Sequence, residues 1–223
     1  MSSIKILLTE DGSHTLQNEV LNETYHSSHG AIQESRHIFI EAGLKEIAKS
    51  KNEISILEFG FGTGLNAYLT LLENNFLKKK ITYTTLEAFP VQMEIAAQLN
   101  YPQLLLNKAT DALFDLLHSC NWNKRIAINS DFSFLKINKK MEDFILTEKY
   151  DLIYFDAFSP QTQPELWTKE IFKKLCDTMN DEGILVTYSA KGEVKRNLKA
   201  AGFKVVGLPG PIGKREITRA IKN

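Results

Sequence analysis

Residues 58–66 read Glu58-Phe59-Gly60-Phe61-Gly62-Thr63-Gly64-Leu65-Asn66, directly after the apolar segment Ile54-Ser55-Ile56-Leu57 and before a helical pattern. Glycines let a backbone turn sharply and approach a ligand closely, and the start of the next helix offers unpaired N–H groups. The spacing Gly-x-Gly-x-Gly differs from the phosphate-binding loop and from the dinucleotide fingerprint Gly-x-Gly-x-x-Gly. The stretch therefore predicts a ligand-binding bend of another type, with a purely structural glycine turn as the alternative.

Strands and helices alternate on both sides of this bend. The pattern predicts strands at 4–8, 54–59, 81–86, 125–128, 132–137, 152–155, 183–188 and 203–206, and helices at 33–49, 65–75, 91–99, 164–179 and 193–201. Residues 10–30 look irregular, and 125–137 reads as an inserted β-hairpin. This alternation predicts an α/β fold with a mostly parallel sheet and helices on both faces. We expect an N-terminal extension at 1–50 and one structural unit at 51–223.

The composition is that of a globular protein, since 43% of the 223 residues are apolar and 24% are charged. No window approaches the roughly 18 uncharged apolar residues of a membrane span, and a secretory pattern is lacking, so we expect a cytoplasmic protein without membrane contacts. Cys120 and Cys176 are far apart in the sequence and predict neither a disulfide nor a zinc site. His14, His26 and His29 lack a partner cysteine, so we expect no metal.

The net charge is zero, but it is unevenly distributed. Residues 191–223 hold nine basic and two acidic residues, a net charge of +7, which leaves −7 for residues 1–190. A basic segment of this kind fits a surface that meets a polyanion, because phosphate contacts need only a few local cations. A solvated helix followed by a charged tail would produce the same pattern. Charge alone does not choose between the two.

Acidic residues follow two of the other predicted strands. Ligands of open α/β sheets bind at the carboxyl ends of the strands. Glu87 ends the strand at 81–86, 23 residues after the last glycine of the bend, where an acid can accept hydrogen bonds from both ribose hydroxyls. Its neighbour Phe89 either packs against an adenine ring or belongs to the core. Asp156 ends the strand at 152–155, where a carboxylate either stabilises an amine that becomes positively charged or caps a turn.

The glycine bend, with an acid two positions before its first glycine, resembles the S-adenosylmethionine loop of Rossmann-like methyltransferases. Nearly the whole chain resembles the methyltransferase part of the MnmC enzymes, which also occurs as a stand-alone protein. The bend alone indicates a superfamily, whereas several blocks together indicate this family. The blocks are Glu23-Thr24-Tyr25-His26-Ser27-Ser28-His29-Gly30, Glu34-Ser35-Arg36-His37-Ile38-Phe39, residues 58–66, Leu86-Glu87-Ala88-Phe89-Pro90, Phe155-Asp156-Ala157-Phe158-Ser159-Pro160, Pro164-Glu165-Leu166-Trp167-Thr168, Thr187-Tyr188-Ser189-Ala190 and Gly213-Lys214-Arg215-Glu216.

The resemblance implies a class I Rossmann-like fold and an S-adenosylmethionine-dependent tRNA methyltransferase. The reaction would methylate the aminomethyl group of 5-aminomethyl-(2-thio)uridine at the tRNA wobble position and release S-adenosylhomocysteine. The product would be the 5-methylaminomethyl form. The same resemblance implies that the extension at 1–50 covers the active site, with Tyr25 and the turn at 28–30 closing one side.

By position, the resemblance implies three sets of site residues. Asp156 would be the catalytic residue, between the sulfonium and the acceptor amine. The cofactor-binding set would be Tyr25, Glu58, Gly60, Phe61, Gly62, Gly64, Asn66, Glu87, Ala88, Phe89, Asp156 and Phe158. The set that meets the uridine and its phosphates would be Pro160, Trp167, Lys214 and Arg215.

The chain departs from the family pattern in two respects. Bifunctional members carry a flavin-dependent oxidase domain that makes the aminomethyl substrate, and no such domain is recognised in this chain. We therefore expect no FAD and a separate enzyme that supplies the aminomethyl group. Many methyltransferases also place an acid after the strand that flanks the adenine, whereas Asn138-Lys139-Lys140 stands here. Glu142 and Asp143 are the candidates to contact the adenine amino group instead.

Two other functions are compatible with parts of this pattern. An aminopropyltransferase, or another enzyme that alkylates small amines, would share the fold and the carboxylate at the strand end. Such an enzyme would be expected to have a more acidic pocket, whereas residues 191–223 of this chain carry a net charge of +7. A non-catalytic module that binds S-adenosylmethionine or RNA would keep the glycine bend without needing the block from Asp156 to Pro160.

Overall fold

An eight-stranded sheet forms the centre of the computed structural model, which describes residues 4–108, 111–145 and 148–223. The strands are β1 (Ile4–Leu8), β2 (His14–Asn18), β3 (Glu23–Thr24), β4 (Glu53–Phe59), β5 (Lys80–Leu86), β6 (Ile126–Asn129), β7 (Phe132–Ile137), β8 (Tyr150–Phe155), β9 (Met179–Thr187), β10 (Phe203–Pro209) and β11 (Glu216–Lys222). The order across the large sheet is β10-β11-β9-β8-β4-β5-β7-β6. Strands β1, β2 and β3 form a separate antiparallel sheet.

The middle of the large sheet is parallel. Strand β4 pairs with β5 and β8, β5 pairs with β7, and β8 pairs with β9, all in parallel register. Antiparallel pairs occur toward the two ends, where β11 joins β9 to β10 and β6 pairs with β7. The predicted α/β fold with a mostly parallel sheet is confirmed. The predicted hairpin is β6–β7, and it belongs to the large sheet because β7 pairs with β5.

Helices cover both faces of the sheet. They are α1 (Ala31–Ser35), a π-helical segment (Arg36–Leu44), α2 (Lys45–Ile47), α3 (Leu65–Leu77), α4 (Met93–Ala96), α5 (Tyr101–Leu106), α6 (Ala112–Ser119), a 3₁₀ turn (Pro164–Trp167), α7 (Lys169–Asp177) and α8 (Gly192–Ala200). The first three run on from one another in place of the single predicted helix at 33–49. One core packs the π-helical segment and α3 against the sheet, and the other packs α7 and α8 against it. All six residues of β8 are buried, as expected for a strand covered on both faces.

The predicted irregular stretch at 10–30 is wrong in part, because β2 and β3 lie within it. Strand β2 pairs with all five residues of β1, but only Thr15 and Leu16 of β2 are buried. So small a buried set leaves almost no alternating apolar pattern for sequence analysis to detect. The backbone pairing therefore forms a strand that composition does not indicate.

The C-terminal strand β11 is a further difference. It lies between β9 and β10, where a charged tail was one interpretation of the sequence. Its basic side chains reach backbone carbonyl oxygens, with Arg219 Nε 2.9 Å from Ala42 O and Lys222 Nζ 2.7 Å from Met179 O. Part of the positive charge at 191–223 thus stabilises the fold.

Two predicted helices are shorter than expected. The predicted helix at 164–179 is interrupted at Thr168. The backbone of Thr168 is extended, and its hydroxyl accepts a hydrogen bond from Ile171 N at 3.4 Å, so α7 starts there as a new helix. The segment 91–99 contains only the four-residue helix α4. Helices α5 and α6 follow it and were not predicted.

Candidate active site

The glycine bend and Asp156 line one cavity of about 540 Å³ at the carboxyl ends of β4, β5 and β8. Small-molecule and cofactor sites typically have volumes of this order. The predicted site residues on its wall are Tyr25, Gly60, Phe61, Gly62, Asn66, Glu87, Ala88, Phe89, Asp156, Phe158 and Lys214. The fold therefore brings together residues from five separate segments of the chain.

Neighbouring segments of the chain approach the backbone of the glycine bend closely. Gly60, Gly62 and Gly64 have φ angles of +90°, +48° and +74°, which L-residues with a Cβ rarely adopt. A Cβ at Gly60 would lie 2.7 Å from the backbone carbonyl oxygen of Asp156, and one at Gly62 would lie 2.9 Å from Tyr25 Cδ1. Both glycines are required for the close approach that shapes the cavity.

Glu87 holds the bend from the next strand. Its Oε2 accepts a hydrogen bond from Gly62 N at 3.0 Å, and its Oε1 accepts one from Phe89 N at 2.8 Å. Burial raises the pKa of this carboxyl, and the backbone donors work against that rise. The side chain of Phe89 beside it is 70% exposed, so Phe89 is at the rim of the cavity and outside the core.

Asp156 is held in place at the end of β8. Its backbone N–H donates to Phe59 O at 3.1 Å, and its Oδ2 accepts from Asn66 Nδ2 at 2.8 Å. Burial raises the pKa of the Asp156 carboxyl to about 7, with Glu34 adding to the rise while Asn66 and Lys214 oppose it. Perturbed carboxyl groups of this kind concentrate at functional sites. Near neutral pH this carboxyl can therefore both accept and release a proton.

N-terminal residues close one side of the cavity. The Tyr25 ring contacts Phe158 edge to face, with centroids 5.2 Å apart. Burial raises the pKa of the Tyr25 hydroxyl to about 12, so it stays protonated. Glu23 Oε1 accepts hydrogen bonds from Ser159 Oγ at 2.6 Å and from the Thr162 hydroxyl. Glu23 was not predicted as a site residue, although it begins the block at 23–30.

Lys214, which was predicted to contact phosphate, is paired with side chains of the protein instead. Its Nζ forms an ion pair with Glu34 and lies 4.4 Å from the centroid of the Tyr188 ring. The Tyr188 hydroxyl donates to Ala157 O at 2.9 Å. Glu34, Tyr188 and Lys214 all line the cavity, so this cation belongs to its wall. Sequence analysis missed Glu34 and Tyr188 as site residues, although both stand in the blocks shared with the family.

Five predicted site residues do not line the cavity. Glu58 is fully buried beneath the wall, and a Cβ at Gly64 would lie 2.7 Å from His118 Nε2 on the far side of the bend. Trp167 is 3% exposed, and its indole Nε1 donates to Phe158 O at 2.9 Å, so it supports the Asp156 loop from behind. Pro160 is partly buried outside the cavity. Arg215 is exposed and forms no ion pair within the described ranges.

The side of the cavity that follows β7 carries Lys139 and Met141. Asn138 Nδ2 donates to Glu87 O at 2.9 Å, which ties this segment to the end of β5. Glu142 and Asp143, the sequence-based candidates for contacting an adenine amino group, are not on the cavity wall. Met141 supplies an apolar surface there instead.

Within 4–108, 111–145 and 148–223, there is no cluster of three or more side chains that could hold a metal ion. Over the same residues, none of the helices has the length and apolar character that crossing a membrane requires.

A family model described as S-adenosyl-L-methionine-dependent methyltransferase matches residues 107–223, which include Asp156, Tyr188 and Lys214. Curated relatives match over nearly the whole chain. The "tRNA 5-methylaminomethyl-2-thiouridine biosynthesis bifunctional protein MnmC" of Campylobacter hominis is 31% identical over 93% of this chain and 31% of its own length. The protein of the same name from Leptospira interrogans is 28% identical over 95% of this chain and 34% of its own. The chain thus spans about a third of the length of these relatives.

Solved structures show the same similarity. The MNMC2 protein of Aquifex aeolicus superposes with a TM-score of 0.76 at 27% identity, covering 99% of this chain and 70% of that one. Spermidine synthase from Thermotoga maritima superposes with a TM-score of 0.56 at 12% identity, covering 99% and 72% of the two chains. The second likeness concerns the fold alone.

Proposed function

The chain belongs to the family of S-adenosyl-L-methionine-dependent methyltransferases, and from this premise we propose that it methylates a tRNA wobble uridine. The acceptor is the primary amine of 5-aminomethyl-(2-thio)uridine, and the products are the 5-methylaminomethyl nucleoside and S-adenosylhomocysteine. The names of the relatives support the substrate, and Asp156 in the same cavity as the glycine bend supports the chemistry. We expect the reaction to occur in the cytoplasm.

The residues present fit S-adenosylmethionine. Without side chains, Gly60 and Gly62 let the backbone of Asp156 and the Tyr25 ring approach the bend and form a tight wall for the cofactor, and the N-terminus of α3 adds partial positive charge for a carboxylate. Glu87 stands at the end of β5, where its carboxylate can accept hydrogen bonds from ribose hydroxyls. Met141 and Phe89 offer apolar surface to an adenine ring. When bound, this cofactor supplies a methyl group on a positively charged sulfur.

Asp156 acts on the acceptor amine. A neutral amine has the lone pair that attack on the methyl carbon requires, and the Asp156 carboxylate holds it through an N–H···O hydrogen bond. Methylation would place a positive charge on this nitrogen, and the adjacent carboxylate would stabilise that charge. The carboxyl then accepts the proton that the alkylated nitrogen releases.

The N-terminal segment at 1–50 is proposed as a cover for this site. Glu23, Tyr25 and Glu34 of this segment contact the Asp156 loop, the glycine bend and Lys214 respectively. The methyl transfer described here starts from a primary amine. A separate catalytic centre therefore has to produce the aminomethyl group, and we propose that another enzyme carries it.

The experiment that tests this function compares acceptors directly. Purified protein is incubated with S-adenosylmethionine labelled in the methyl group and with tRNA from a strain that lacks this gene. We expect label in the 5-methylaminomethyl nucleoside by mass spectrometry, and none in putrescine or spermidine offered instead. Transfer of an aminopropyl group from decarboxylated S-adenosylmethionine to the polyamines would overturn the proposal. So would tight cofactor binding without transfer to this tRNA.

Arg215→Ala should weaken tRNA binding without altering cofactor binding. Arg215 is exposed beside the cavity residue Lys214, and loss of one phosphate contact lowers the slope of log K against log salt by about 1. Lys204→Ala is the matched control, because Lys204 is exposed near the start of β10, at the opposite end of the β10–β11 hairpin from Arg215. Filter binding over a salt series measures both variants. Equal slopes for Arg215→Ala and the unaltered protein would remove Arg215 from the tRNA surface.

A further inference from the structure

Phe89 presents an aromatic ring to solvent at the rim of the cavity. The residue is 70% exposed, although it lines the cavity. Its backbone is held in place, because Phe89 N donates a hydrogen bond to Glu87 Oε1 at 2.8 Å. Single exposed apolar residues are common on protein surfaces and need no explanation. Phe89 differs from them because a fixed backbone presents its ring beside a candidate active site.

A lysine stands on the segment next to this ring. Asn138 Nδ2 donates to Glu87 O at 2.9 Å and to Ala88 O at 3.5 Å, so the segment after β7 lies against the one that carries Phe89. Lys139 follows Asn138, is exposed and also lines the cavity. Among the residues that the structure describes, Lys139 takes part in no ion pair. This side of the cavity therefore offers an aromatic ring and, within the described part of the chain, a cation without a carboxylate partner.

Another cation stands on the other side of the cavity. Arg215 precedes β11, which runs antiparallel to β9 and so begins at the edge of the sheet where the parallel strands end. Lys139 follows β7 at that same edge. Strands β9, β8, β4 and β5 lie between β11 and β7, which corresponds to about 24 Å at roughly 4.8 Å per strand. A polyanion that reaches the cavity can therefore contact a cation on each side.

The proposed acceptor is an unpaired nucleotide in a loop, and the present inference rests on that proposed function. The wobble uridine has to leave the stack of anticodon bases before its aminomethyl group can enter a cavity of this kind. The base on its 3′ side then loses a stacking neighbour. Proteins that bind single-stranded nucleic acid combine aromatic rings, on which bases stack, with cations that contact the backbone. We propose that Phe89 is the stacking platform for that neighbouring base and that Lys139 contacts a phosphate of the same strand.

A bound cofactor does not exclude this role. An adenine ring in the cavity, beside Met141, can meet one face of Phe89, and a planar ring has a second face. At 70% exposure, most of the residue remains available to a partner that arrives from solvent. Binding measurements without cofactor therefore isolate the contact between Phe89 and RNA.

The test measures RNA binding in the absence of S-adenosylmethionine. The probe is a fluorescently labelled anticodon stem-loop with 5-aminomethyluridine at the wobble position, titrated with protein and followed by anisotropy. We expect Phe89→Ala to weaken binding about tenfold through lost stacking, and Phe89→Tyr to bind as the unaltered protein does. Phe76→Ala is the matched control, because Phe76 is 83% exposed near the end of α3 and does not line the cavity. Its affinity for the stem-loop should be normal.

A stem-loop that lacks the base 3′ of the wobble uridine completes a thermodynamic cycle. Removing that base should weaken binding to the unaltered protein about tenfold and to Phe89→Ala hardly at all, because both changes remove the same interaction. Lys139→Ala should lower the slope of log K against log salt by about 1 with either RNA. Losses that add in the cycle, or an unchanged slope in Lys139→Ala, would overturn the inference.

The outcomes separate the stacking role from the function on which it rests. If Phe89→Ala bound the stem-loop normally but bound S-adenosylmethionine weakly, the ring would belong to the adenine site. That result would overturn the stacking role alone and leave tRNA methylation unaffected. If the unaltered protein neither bound the stem-loop nor methylated tRNA, the proposed function and the stacking role would both be wrong.

Discussion

Asp156→Asn should slow single-turnover methyl transfer to tRNA by about 10²- to 10⁴-fold, the usual effect of removing a positioned acid–base group. An asparagine amide cannot neutralise the positive charge that develops on the amine nitrogen, and it cannot accept the proton that follows. Its oxygen can still accept the hydrogen bond that Asn66 Nδ2 donates, so the local structure should persist. The measurement is rapid-quench methyl transfer with enzyme in excess over tRNA. An unchanged rate with intact cofactor binding would exclude this role for Asp156.

The pH profile distinguishes this effect from a general disturbance of the fold. Because burial raises the pKa of Asp156 to about 7, its carboxylate form is lost as pH falls through 7. The rate of the unaltered protein should therefore rise more steeply between pH 6 and pH 8 than the residual rate of Asp156→Asn, which keeps only the rise caused by deprotonation of the acceptor amine. Asp151→Asn is the matched control at the opposite end of β8. Lys51, Ser55 and Asn180 bond that carboxylate, so its loss should lower stability but not the rate per folded molecule.

Gly60→Ala should abolish most cofactor binding and also lower the free energy of unfolding. At φ +90°, an L-residue is strained by about 1–3 kcal/mol. The added Cβ would also lie 2.7 Å from the carbonyl oxygen of Asp156, a backbone atom of a residue that the bond from Asp156 N to Phe59 O holds against β4. Calorimetric titration with S-adenosylmethionine and urea unfolding measure the two effects.

Gly12→Ala provides a control with the same backbone strain and no collision. Gly12 has φ +82°, and nothing lies within 4 Å of a Cβ placed there. Its destabilisation should therefore equal the strain alone, and its cofactor affinity should be normal. If Gly60→Ala bound S-adenosylmethionine as tightly as Gly12→Ala does, the bend would not be the cofactor cradle.

The parts of the site that could be predicted are those that local sequence encodes. The glycine bend is recognisable because three glycines stand directly between a strand and a helix, and Glu87 and Asp156 because each ends an apolar strand. All of these residues except Gly64 line the cavity. Strand β2 and strand β11 were missed because backbone pairing forms them with little apolar periodicity.

The contacts of Lys214 and Trp167 could not be predicted from their positions in the sequence motifs. Both were expected to meet tRNA, but one is paired with Glu34 in the cavity wall and the other is packed under the Asp156 loop. Glu34 and Lys214 are 180 residues apart in the chain. A charge at such a distance finds its partner only after the sheet and the N-terminal segment have come together.

Sequence by itself determined the strand–bend–helix unit, the alternation that produces a parallel sheet and the carboxylates at the strand ends, because these depend on neighbours along the chain. Tertiary structure alone decided which side chains line the cavity, which cations are neutralised and that Glu58 is buried beneath the cavity wall. The physical reason is that burial, ion pairing and close backbone approach arise between segments that are remote in sequence. Those contacts set the protonation state of each carboxyl group, and hence the chemistry.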